Sequence, residues 1–148
     1  MLNEVDFPLT NSQISEFILD EGYTTYFKLQ QALSELLESG FIREESTHHR
    51  TFYHLTEDGA ETIHYFTNDI SPAIQHDIDE FLKEKHYELK NEMSVKADYF
   101  ENSNMEYSVR CQVIEQGLPL IDLTVTAPTE SEAATIANNW QKRNQEIY

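Results

Sequence analysis

Residues 10–66 place four short segments in a fixed order: NSQISEFILDEG, YTTYFKLQQALSELLESGFI, REESTHHRTFYHLT and EDGAETIHYF. This succession constrains the fold more than any single residue does. The first segment opens on the short oxygen side chains of Thr10, Asn11 and Ser12, which can satisfy the orphan amides of a helix start. Ile14, Phe17, Ile18 and Leu19 then form an apolar face at helical spacing, and Asp20-Glu21-Gly22 ends it, Gly22 serving a left-handed turn. A second helix is expected from Thr24 or Thr25 to Ser39, stopped by Gly40. Its buried stripe is Leu29, Ala32, Leu33 and Leu36 at i, i+3, i+4 and i+7, which leaves Lys28, Gln30, Gln31 and Ser34 on the opposite side. Residues 41–45 and 51–55 read as a hairpin, with Ser46-Thr47-His48-His49-Arg50 at its tip, and Thr56 caps a closing helix. In that helix Ala60, Ile63, His64 and Phe66 are expected to turn inward or toward the linker.

These segments together resemble the winged helix-turn-helix domains of PadR-like and MarR-like transcriptional regulators. The most specific part is LSELLESGFI followed by YHLTEDGAETI, and the resemblance covers a little under half of the chain. It implies a DNA-binding regulator, with double-stranded DNA as partner, acting as a homodimer whose two recognition helices enter successive major grooves. On this reading the second helix contacts DNA through Thr25, Lys28, Gln30, Gln31 and Ser34, and the wing tip touches the backbone through His48, His49 and Arg50. The residue types suit that role: Gln pairs with the adenine edge, and Lys reaches guanine or a phosphate. Gln and Ser equally suit a helix face that simply meets water. The resemblance also implies a full helix ahead of FPLTNSQ, of which residues 1–5 would be the last turn. Such a helix would pack against Phe17, Ile18, Leu33, Leu36 and Ile63. The expectation is therefore that the chain begins one helix upstream or that a partner's element fills the groove, the alternative being a reduced winged helix.

The second half starts on a strong helix signal, Ser71 as N-cap and Pro72 at the first helical position. A long helix to about Asn91 carries the stripe Ile74, Ile78, Phe81, Leu82 and Leu89, which the resemblance implies as the dimerisation surface, although folding back on its own sheet would give the same stripe. From Met93 the period becomes two: Val95, Ala97 and Tyr99, then Met105, Tyr107, Val109, Cys111 and Val113, then Ile121, Leu123 and Val125. Three antiparallel strands with one apolar side need a cover. The last helix supplies it, with Thr129 and Glu132 as a capping box and Ala133, Ile136, Ala137 and Trp140 facing inward. The expected fold is thus α+β: a winged helix-turn-helix domain over 1–68, then over 69–148 a long helix and a small three-stranded antiparallel sheet covered by a C-terminal helix. Tyr99, Tyr107 and Trp140 leave room for a small-molecule or protein effector at the C-terminal domain, though aromatics on an alternating face are more often plain core.

Charge sits uneasily with a duplex binder. The chain carries −17, with 27 acidic against 10 basic residues. Residues 1–66 hold 12 of those acids and only three bases, Lys28, Arg43 and Arg50, all at the second helix or the hairpin. A phosphate-binding surface normally displaces counterions with a basic patch. A protein-interaction module that keeps the winged-helix fold without DNA affinity is therefore the second reading. One cysteine, Cys111, excludes an internal disulfide framework and zinc sites built on paired thiolates. Adjacent His48 and His49 point to opposite faces of a strand and have no third ligand, so no metal is expected. No cofactor loop, carboxylate pair or nucleophile–base arrangement appears, and no enzyme activity is expected. Cys111 falls on an apolar strand face, as a small hydrophobe does. Without a membrane-length apolar run or a basic leader, a cytoplasmic protein is expected.

Overall fold

The computed structural model describes residues 1–47 and 50–147, with Met93 and residues 144–147 described in backbone only. Among the described residues the fold is α+β, with five α-helices and two three-stranded antiparallel sheets. The chain divides into two compact units, Met1–Leu89 and Lys90–Tyr148. The first thus takes in most of the long helix, where the sequence suggested a boundary at 68/69.

The first unit opens with a 3-10 turn, Leu2–Glu4, and a two-residue strand β1 (Leu9–Thr10). Helix α1 (Asn11–Asp20) follows at once because Thr10 is both strand residue and N-cap. The Thr10 hydroxyl accepts from the Gln13 amide at 3.1 Å, while the Gln13 side chain accepts from the Thr10 amide at 2.8 Å. This reciprocal capping box satisfies two orphan donors, and the helix start expected at Thr10-Asn11-Ser12 is here, with a short strand ahead of it that the sequence reading did not include. Gly22, at φ 69°, makes the left-handed turn into α2 (Tyr26–Glu38), which Thr25 caps. The hairpin is β2 (Ile42–Ser46) and β3 (Thr51–Leu55), and β1 pairs with the free side of β3, giving the order β1-β3-β2.

Helix α3 (Glu57–Phe66) begins on Thr56, whose hydroxyl donates to the Gly40 carbonyl at 2.7 Å and accepts from the Gly59 amide at 3.1 Å. Its backbone amide donates to the Phe41 carbonyl at 3.1 Å. The first turn of α3 therefore lies directly on the chain leaving α2. A Cβ on Gly59 would stand 2.0 Å from the Phe41 carbonyl oxygen, so the Leu-Thr-x-x-Gly run is a packing requirement. Later in this helix Ala60 and Ile63 are half-buried, while His64 and Phe66, expected inward or toward the linker, are exposed, Phe66 at the rim of a groove in this unit.

Helix α4 (Pro72–Ser94) continues three residues past the expected end, and strand β4 (Val95–Glu101) follows without a loop. The run Asn91 to Ser94 contains no Gly or Pro to stop the helix, and the Ser94 hydroxyl bonds back to the Lys90 carbonyl at 2.9 Å. In the first unit the α4 stripe is turned inward. Leu82 and Leu89 are buried, the Phe81 ring lies 4.9 Å from that of Phe17, and the His86 ring 5.7 Å from that of Phe7. Two polar ties accompany this packing, Lys85 to Glu16 and the Tyr23 hydroxyl to the Asp77 carboxylate.

The second unit is a meander of β4, β5 (Tyr107–Glu115) and β6 (Leu118–Ala127), in that order, with α5 (Glu130–Ile147) on one face. Register stacks Val95, Val113 and Ile121, then Ala97, Cys111 and Leu123, then Tyr99, Val109 and Val125, all on the one face that the alternation predicts. Met105 departs from that alternation: it lies in the connecting turn at φ 58° and is exposed, because the Asn102 side chain accepts from the Asn104 and Glu106 amides and shapes a longer turn. Thr129 and Glu132 form the expected cap, and Ala133, Ala137 and Trp140 seal the core, the indole N–H donating to the Gln112 carbonyl at 3.1 Å. Cys111 is buried in that core, and desolvation pushes its thiol up, away from the reactive thiolate.

Two expectations follow. Gly59→Ala should destabilise the first unit by about 2–4 kcal/mol, since backbone rather than a flexible side chain must move. Gly22→Ala, whose Cβ meets nothing within 4 Å, should cost only about 1–2 kcal/mol of left-handed strain. Urea denaturation of the two variants side by side checks the ranking. The hydrogen bond to Asp77, with some desolvation and the charges of Asp77 and Glu21, pushes the Tyr23 phenol from 10.0 up to about 12. The neutral phenol is the form favoured on folding, so this contribution is complete below pH 10 and fades as pH rises toward 12. Tyr23→Phe should flatten that alkaline loss and remove one late-ionising tyrosine from the ultraviolet titration.

Candidate nucleic-acid interface

The face of α2 depends on a polar knot at its first turns. The Asn11 amide group donates to Gln30 Oε1 at 2.8 Å and to the Tyr53 hydroxyl at 3.1 Å, while its oxygen accepts from Gln30 Nε2 and Ser15 Oγ at 3.1 Å each. One side chain at the start of α1 thereby joins α1, α2 and β3. Gln30 belongs to this knot and does not lie with the other polar residues of the helix. The sequence reading put it on the outer face; its amide instead finds a complementary amide inside, which position along a helix cannot reveal.

What remains outward on α2 is Phe27, Lys28, Gln31, Ser34, Glu35 and Glu38, all exposed. Thr25, also exposed, caps the helix by accepting from the Lys28 amide at 3.4 Å. Gln31 donates to the Glu35 carboxylate at 3.1 Å, so it is drawn toward the acidic end of the helix. The surface thus changes character along its length, with Tyr26, Phe27 and Lys28 at the N-terminal turn and carboxylates in the last two turns. The aromatic pair was not singled out from the sequence; Phe27 is 78% exposed and Tyr26 58%. The signal for Phe27 was available, since it falls on the side opposite Leu29 and Leu33; Tyr26, at i, i+3 and i+7 with those two, reads as part of their stripe.

At the hairpin tip the Arg50 amide donates to Thr47 Oγ1 at 3.3 Å and its carbonyl accepts from the Thr47 amide at 2.8 Å. Arg50 is half-buried. His48 and His49 lie outside the described residues. Lower on the hairpin Glu45 Oε2 pairs with His54 Nε2 at 3.0 Å. Arg43 and His54 line a cleft of about 370 Å³ with Asp6 and Phe7. Among the described residues, no group of three His, Cys, Asp or Glu side chains is placed to hold a metal ion.

A second cavity of about 370 Å³ opens between the helices of the first unit. Its walls include Ile18, Leu29, Leu33, Leu36, Ile63 and Ile78, with the turn at Leu2 along one side. Ile18, Leu33, Leu36 and Ile63 are residues expected to border a groove for a preceding helix; Phe17 instead is buried, its ring tilted against that of Phe81. Ala32 and Leu36, placed in the buried stripe from sequence, line this groove and stay exposed. The five residues expected to form a dimerisation stripe differ in exposure. Leu82 and Leu89 are buried, Ile78 lines the groove, Phe81 packs on Phe17, and Ile74 is half-buried. Part of the stripe thus meets apolar partners within the first unit, Phe81 on Phe17 above all. No helix among the described residues is long and apolar enough to cross a membrane.

No curated protein and no solved structure matches the chain. A family model does, over residues 1–148, and its description is a domain of unknown function, DUF4364. The chain belongs to that family.

Proposed function

We propose that the first unit is a winged helix of the PadR-like or MarR-like kind and that the protein is a cytoplasmic, non-catalytic, DNA-binding transcriptional regulator. The observation that carries this reading is the outward N-terminal turn of α2. Thr25 caps it, the Asn11–Gln30 pair orients it, and a two-stranded hairpin follows. In helix-turn-helix recognition, the N-terminal residues of the second helix reach base edges while the wing meets the backbone. Here Lys28 occupies the first role, with Gln31 and Ser34 beside it, and Arg50 the second. Gln30 stands behind the surface as a positioning residue. The carboxylates of Glu35 and Glu38 limit the contact to the first turns, since phosphates repel them.

A specific observation supports a second reading. Tyr26 and Phe27 are large, exposed and adjacent to Lys28, and exposed aromatics are enriched at protein-binding interfaces. On that reading the fold is retained and the duplex is replaced by a protein partner.

Fluorescence anisotropy with mixed genomic duplexes at two salt concentrations separates the two. A regulator should bind and weaken with salt, with a shallow slope because few cations take part. Arg50→Ala should weaken all sequences alike and reduce that slope by about one. Lys28→Ala should instead narrow the gap between preferred and random duplexes. No binding at about 50 mM salt would leave the protein-interaction reading in place.

A further inference from the structure

Strand β6 is unusual among the strands of this chain. It is the edge of its sheet, ten residues long, and nearly all of it is exposed. Helix α5 packs chiefly on β4 and β5 and only marginally on β6. The inner face of β6, which shares its side of the sheet with the core, is therefore left half covered. Leu123 is 38% exposed and Val125 39%, although their register partners Cys111 and Val109 are fully buried. Long apolar edges are usually blunted by Lys, by a central Pro or by a bulge. On β6 Pro119 lies near the start, and the register shift opposite Val113/Ile114 is confined to that end, so residues 121–127 run as an uninterrupted edge.

Two features say what fits this edge. Its outer side offers a row of backbone donors and acceptors, which only another strand satisfies in full. Its charge is close to neutral in a chain of −17: Asp122 is the one ionisable residue on β6, and Arg110 neutralises it with bonds of 3.0 and 2.6 Å while Gln112 adds a third at 3.0 Å. Two copies of so acidic a chain repel at most surfaces, and β6 with its one paired carboxylate adds little to that repulsion. The strand is also self-complementary. Antiparallel pairing about Leu123 sets Leu123 against itself, Ile121 against Val125 and Asp122 against Thr124, with no like charges opposed. A two-fold axis normal to the sheet keeps both inner faces on one side, so the apolar strips of the two copies lie next to each other between the two α5 helices.

We propose that β6 is the self-association surface of this protein, two copies pairing antiparallel through β6 into one continuous six-stranded sheet. This pairing does not depend on whether the first unit binds DNA.

The test joins sedimentation equilibrium of the full chain, from low to high micromolar concentration, with hydrogen exchange over the same range. A monomer–dimer equilibrium should appear, and amides of residues 120–127 should slow as the dimer fills. Leu123→Lys, which sets two ammonium groups against each other at the centre of the pair, should weaken dimerisation at least about tenfold. Leu123→Met should leave it within a few-fold of the parent. A monomer at every concentration overturns the proposal. So does a dimer whose β6 amides exchange at the monomer rate, or one that Leu123→Lys leaves intact. The exchange measurement uses the unaltered chain, so it decides the matter even if Leu123→Lys does not fold.

Discussion

The geometry of the first unit depends on one amide. Asn11 sits just past the β1 pairing, at the first position of α1, and its side chain meets Gln30, Tyr53 and Ser15 together. An amide has two donors and an acceptor oxygen with two lone pairs, and this one is fully engaged. Sliding α2 by one residue, or rotating it by one position, would leave several partly buried polar groups without partners, at about 1–3 kcal/mol each. Apolar packing against Leu29 and Leu33 tolerates small shifts; a reciprocal amide pair does not. Hence the outward residues of α2 are determined from behind.

Where the sequence was legible, the reason is local chemistry. Thr25, Thr56 and Thr129 each mark a helix start because a hydroxyl there has a defined backbone target. The alternation over residues 107–113 and 121–125 carried which residues share one face of the sheet, since period two follows from the pleat. The illegible parts are those in which a side chain chooses between equivalent partners. Gln30 looks like any polar residue on a helix until Asn11 is placed across from it. The stripe Ile74, Ile78, Phe81, Leu82 and Leu89 is the same in sequence whether it meets Phe17 or a second copy. Nor does the run of strands say that α5 will lie over two of them and leave the third half bare.

The acidic balance shapes the candidate surface more than a net figure suggests. Cations in the first unit are few, and several are engaged with carboxylates or lie beside them: Lys85 with Glu16, Arg43 in a cleft with Asp6. Lys28 has an open turn around it, yet Glu35 and Glu38 follow on the same exposed face. Such an arrangement gives little long-range steering toward a polyanion.

The pairing of β1 with β3 has a bearing on the order in which the chain organises. Leu9 meets Tyr53 and Thr10 meets Phe52, across more than forty residues of intervening sequence. Every other strand pair joins neighbours through a short turn. Loop-closure entropy makes the long-range pair the slowest to be repaid, although the increment with length is small. The β2–β3 hairpin and the capped helices can form beforehand, and Leu9, with no exposed surface, then closes the sheet from its far edge. The shortest strand of the protein is in this sense the one whose formation reports that the whole first unit has assembled.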